Sequence, residues 1–145
     1  MVVRVDWRSA LSFVGTVSKF MTLPLLVPLA AALVYGESPL PFVVTVTVAY
    51  LVGVALERLR PDPDLGHREG FLFVALTWLI VPLLGTIPYL VAGQGSVAGV
   101  ENALFESMSG FTTTGATVLA EISIDRHGHA ILLWRQLTQW LGGMG

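Results

Sequence analysis

The run SGFTTTGATVL, residues 109–119, gathers four threonines and two glycines, with no charged residue, cysteine or histidine among them. Such residues suit one kind of chemistry. A dehydrated alkali cation needs oxygen ligands in place of its hydration shell, and potassium filters supply peptide carbonyls from a Thr/Gly-rich loop in each of four units. Thr113 and Thr114 are the candidate potassium ligands, through their carbonyls and one hydroxyl. Gly115 permits the backbone conformation that aims adjacent carbonyls inward. Thr112, Ala116 and Thr117 flank them. The bland alternative is a turn that merely packs helices, as in a non-transporting membrane adaptor.

Two ionisable residues are placed to brace such a loop. Glu106 sits on the expected pore helix near the run; it is expected to cap or brace its own helix, the other reading being that it biases the mouth toward cations or bonds the filter backbone. Arg135 and Gln139 are four apart in the last segment and share a helix face; Arg135 is expected to pair with Glu106 or Glu121. Glu101, Glu121 and Asp125 would make the outer face acidic, either modestly concentrating cations or acting as ordinary solvated charge. His67, His127 and His129 lack metal-ligand spacing, and no base–nucleophile pair points to an enzyme. The sequence gives no sign of a cofactor. GGMG at 142–145 lacks the lysine of a phosphate loop, so close helix packing by small residues explains it better.

The elements that must hold these residues are membrane helices. Hydrophobic residues make up 54% of the chain and charged residues 12%, with mean hydropathy +0.73; a soluble domain carries about 25% charged residues. The absence of cysteine excludes a disulfide framework, and the net charge of -2 offers no footing for nucleic acid. Three apolar blocks are long enough to meet lipid: 11–35, kinked at Pro24 and Pro28; 42–56, extended outward by Pro39–Pro41; and 71–92. A helix is expected for the β-branched second block, because an unpaired strand cannot satisfy its backbone in lipid. A cleaved signal peptide is the lesser reading of the first block, which is longer than a signal core. Lys19 is expected to snorkel to the headgroups.

Arg4 and Arg8 precede the first block, and Arg58, Arg60 and Arg68 lie in the polar stretch 57–70, read as a solvent loop. The positive-inside rule then places the N-terminus and that loop in the cytoplasm, and the Glu37 turn and Ala92 outside. The stretch 93–111 begins as a glycine-rich turn and carries too few apolar residues to cross. IDRHGH, 124–129, reads as a second polar turn before a fresh apolar segment. A short helix that dips in and a loop that climbs back out on the same side fit this hydropathy. The fold expected is all-α and integral to the membrane, with transmembrane helices, a re-entrant pore helix and a filter loop.

REGFLFVALTWLIVPLLGTIPYL, FESMSGFTTTGATVL and LLWRQLTQWLGGMG resemble successive signatures of the Trk/Ktr/HKT superfamily of potassium transporters, specifically its bacterial Trk (TrkH-like) potassium-uptake subunits. The resemblance covers nearly the whole chain, more loosely over 11–56. It implies four covalently linked helix–pore-loop–helix repeats around one permeation path, each giving one filter strand with a shared central glycine. Gly115 matches that glycine, and Thr113 and Thr114 match the positions whose oxygens face the ion. On this basis residues 1–60 form an N-terminal helix pair and 61–69 a cytoplasmic loop. Residues 70–145 form the first repeat, cut off in its second helix, so the chain reads as an N-terminal fragment. The resemblance also implies potassium uptake across the cell inner membrane, a homodimer of the full-length protein and a cytoplasmic nucleotide-binding regulatory ring (TrkA-like).

Overall fold

The computed structural model describes residues 6–59 and 66–144. Arg4, Arg60, positions 61–65 of the polar loop and Gly145, on which part of the sequence reading rests, lie outside the described residues.

Helix α1, Trp7–Phe20, starts at Asp6, whose carboxylate accepts the Arg8 N–H and the Ser9 hydroxyl. It gives way at Met21 to α2, Thr22–Tyr35. The break therefore falls at Met21, before both prolines. Pro24 lies in the first turn of α2, where a missing N–H is harmless, and Pro28 is buried inside that helix. Gly36, left-handed at φ 68°, ends α2. Helix α3, Leu40–Glu57, opens with Pro41 in its first turn.

Helix α4 spans His67–Ala92. Residues 67–70, expected in the solvent loop, form its first turn, where Glu69 suits the positive end of the helix dipole. A 3-10 turn, Gly95–Ala98, leads to α5, Val100–Phe111. The last helix, α6, covers Ile124–Met144 and is broken at Gly128 (φ 75°, ψ 163°). Residues 124–127, expected as a polar turn, are helical; only Gly128 departs.

Three segments are long and apolar enough to cross a membrane: Trp7–Tyr35, Leu40–Glu57 and His67–Ala92. Among the described residues there is no strand, so the fold is all-helical, as expected of a membrane protein. Leu23, Leu33, Val34, Phe71 and Leu79 stand exposed on the outer faces, which in lipid is ordinary. Helix α5, at 12 residues, is about 18 Å long and cannot cross a core of roughly 30 Å.

Small residues set the closest approach. A Cβ on Gly15 would lie 2.7 Å from the Gly53 carbonyl oxygen, and one on Gly53 equally near that of Gly15, so α1 and α3 meet backbone to backbone. Lys19 pairs with Glu57 at 2.6 Å across that contact, and the Thr16 hydroxyl donates to the same carboxylate. Helix α2 packs on α6, α4 on α5, and α5 on α6. The N-terminal helices thus pack on α4 and α6, the two helices that hold α5.

Candidate ion-filter site

Helix α5 ends at Phe111, and residues 112–123 are not helical. The amides beyond the helix fold back onto its last carbonyls. Thr112 N–H donates to Met108 at 2.9 Å, Thr113 N–H to Gly110 at 2.9 Å and Thr114 N–H to Ser109 at 3.0 Å, with Gly115 N–H at 3.5 Å from Ser109. The groups left unsatisfied at a helix C-terminus are in this way consumed by the run itself. The carbonyls of residues 112–115, by contrast, accept no hydrogen bond from any described residue. Residues 112–117 are all exposed.

Two backbone angles accompany this division. Thr113 has φ 55° and Gly115 φ 75°, and Thr114 alone stands between them without a positive φ. The amides of residues 112–115 turn back onto the helix, and their carbonyls take no hydrogen bond from any described residue. Gly115 takes the left-handed conformation freely. Thr113 is the only non-glycine residue with positive φ among the described residues, at a cost of roughly 1–2 kcal/mol for an L-residue. Strain of this kind persists where the surroundings over-determine it; here they are the three amide bonds just named.

Side chains hold the run at both ends. Thr112 donates its hydroxyl to Met108 and shares a 2.9 Å contact with the Thr114 hydroxyl. Ser109 donates to the Ala116 carbonyl at 2.6 Å, closing the loop on its own helix. At the far end Thr117 donates to Glu106 at 2.9 Å and accepts the Leu119 N–H, while the Val118 N–H donates to Glu106 at 3.2 Å. Glu106, 2% exposed, also accepts Nε of Arg135, which is 7% exposed. Both expected bracing residues therefore meet, and of the two partners considered for Arg135 the structure selects Glu106. Glu121 pairs with Arg126 on the surface.

Glycines let the neighbours close in. A Cβ at Gly110 would collide with the Thr138 side chain, and one at Gly142 with the Phe111 carbonyl. Gly85 lies against the Phe111 ring and the Ser107 hydroxyl. Trp134 donates its indole N–H to Gly85 at 3.1 Å, and Ser107 donates to the Pro82 carbonyl. Gly142, fourteen positions after Gly128 on α6, lies about 21 Å further along the helix and meets the deep end of α5. The run thus starts near Gly142, toward the C-terminal end of α6, and leads back to the start of that helix at Ile124.

Sequence reasoning missed four supports: Ser109, Thr138, the Trp134 indole, and Glu37, which reaches the break in α6. Only the small residues at 110 and 142 hinted at the close contacts.

Residues 42–145 match the family described as cation transport protein, TrkH. The chain belongs to that family. It is 37% identical over 143 residues to the Trk system potassium uptake protein TrkH of Vibrio parahaemolyticus, covering 97% of this chain and 29% of that protein. To the TrkH protein of Escherichia coli K12 it is 35% identical over 142 residues, with 96% and 29% covered. To the Trk system potassium uptake protein TrkI of Halomonas elongata it is 33% identical over 130 residues, with 87% and 25% covered. The chain therefore spans less than a third of the length of the curated relatives it matches.

Proposed function

We propose that this chain supplies one of four filter segments of a potassium-uptake pathway in the cell inner membrane, with its N-terminus in the cytoplasm. One observation carries the reading: in residues 112–115 the amides are spent on α5 while the carbonyls stand free and exposed. Carbonyl oxygens arranged so can replace the water around a monovalent cation. Thr113 and Thr114 are the potassium ligands, Gly115 sets their backbone, and Thr112, Ala116 and Thr117 anchor the ends. Glu106 and Arg135 form the brace. The negative end of α5 passes through the amides of the run, so each peptide presents its negative pole to the ion.

Residues 1–60 act as a supporting helix pair, the polar stretch up to the first turn of α4 faces the cytoplasm, and 70–145 serve as the first repeat. The names of the relatives support potassium as the substrate. Three further segments of like kind would complete the ring, in a full-length protein that dimerises and docks a cytoplasmic nucleotide-binding ring. The test is uptake by the full-length protein in cells lacking other potassium uptake. Gly115→Ser should abolish growth at low potassium or lower K⁺/Na⁺ discrimination; wild-type selectivity in that variant would overturn the assignment.

A further inference from the structure

Far from the run, a second polar constellation ties the N-terminal hairpin to α6. The break at Gly128 leaves the N–H groups of His129 and Ala130 at the start of a helical piece with no intrahelical acceptor. Both go to one side chain from another part of the chain. Glu37 Oε1 accepts the His129 N–H at 2.6 Å, and Oε2 accepts the Ala130 N–H at 2.9 Å. The His129 ring nitrogen Nδ1 lies 2.9 Å from the same Oε1, and the Tyr35 ring stacks on that imidazole at 3.8 Å. Gly128 is required there because its φ 75°, ψ 163° lies in a region open essentially to glycine alone. A negative charge on two amides at a helix N-terminus is well placed for both hydrogen bonding and the dipole. Partial burial of Glu37 works against its charge, but the amides of Ala130 and His129 outweigh it and hold the carboxyl below its ordinary range.

What this cap fixes is the height of α6. Six residues after His129, Arg135 reaches Glu106, and Glu106 holds Thr117 and Val118 at the outer end of the run. Three residues later Thr138 fills the space beside Gly110. A one-residue register slip of α6, about 1.5 Å along the axis with a turn of about 100° around it, would swing the Arg135 side chain off the face that meets Glu106. We infer that Glu37 is a positioning residue for the filter: by capping α6 from the α2–α3 turn it sets where Arg135 stands, and through Arg135 and Glu106 where the run ends. The inference rests on the filter reading of residues 112–117.

The test uses the full-length protein in potassium-uptake-deficient cells, with initial K⁺ and Na⁺ uptake normalised to membrane abundance. Glu37→Ala should lower K⁺/Na⁺ discrimination by at least about fivefold, the low end of an ordinary coupling between sites. Glu37→Gln, which keeps size and one acceptor oxygen, should show a smaller loss, and decides the matter if the alanine variant does not accumulate. In an Arg135→Gln background, the further effect of either change should vanish. Unchanged discrimination in the Glu37 variants, or losses that multiply with that of Arg135→Gln, would overturn the inference. Gly115→Ser run alongside separates the two levels. If it alters discrimination while Glu37 variants do not, only the role of Glu37 fails; if it alters nothing, the filter reading fails as well.

Discussion

The buried pair of Glu106 and Arg135 makes a sharp prediction about the cost of losing either partner. Glu106 accepts three donors: Nε of Arg135, the Thr117 hydroxyl and the Val118 N–H. Arg135→Met removes one charge-assisted hydrogen bond, worth about 1.5–3 kcal/mol, and strands a carboxylate that is 2% exposed. Breaking one side of a buried pair costs about 3–5 kcal/mol in total. Glu106→Met should cost more, since it strands the guanidinium and also frees the Thr117 and Val118 donors, at roughly 1–3 kcal/mol for each buried group left unsatisfied. The double variant removes both charges and fills the space with apolar side chains, which buried pairs often tolerate. Its loss should therefore fall short of the summed single losses by about 2 kcal/mol, within the ordinary range for contacting residues. Equilibrium unfolding of the full-length protein in mixed micelles of SDS and mild detergent reads these differences. Single variants within about 1 kcal/mol of wild type, or losses that simply add, would refute the view that the two charges exist for each other.

Three more outcomes follow from the geometry. Gly142→Ala pushes a methyl into the Phe111 carbonyl and should destabilise by about 1–3 kcal/mol, whereas Gly143→Ala, whose Cβ would meet only the Thr113 methyl at 3.8 Å, should be near neutral in the same unfolding assay. Thr113→Gly relieves the left-handed strain and should stabilise by about 1 kcal/mol while loosening the run, read as lower K⁺/Na⁺ discrimination in uptake. Because the Glu37 carboxyl is held below its ordinary range, the charged form is favoured by the fold. Its contribution is full above the ordinary glutamate pKa and is lost as pH falls through the lowered value. The stability gap between wild type and Glu37→Gln should accordingly be constant near neutrality and shrink in acid, which thermal unfolding against pH will show.

Composition and spacing alone determined that this chain lives in lipid, where its three long apolar helices run, and that a Thr/Gly run follows a helix too short to cross. These are local properties: length against bilayer thickness, hydropathy, and the kind of oxygen a residue offers. The run and its two bracing residues were legible for the same reason, since Glu106 and Arg135 are charges where charges are expensive. Position along the chain could not say that Arg135 chooses Glu106 over Glu121, that Lys19 meets Glu57, or that the first span breaks at Met21. Each is decided by which surfaces the helices bring together. Glu37 illustrates the limit best: 91 positions before Gly128, it gains its role only because Gly36 turns it back and Gly128 opens two amides to receive it. An amide has no sequence signature, so its partner is visible only once the helices are packed.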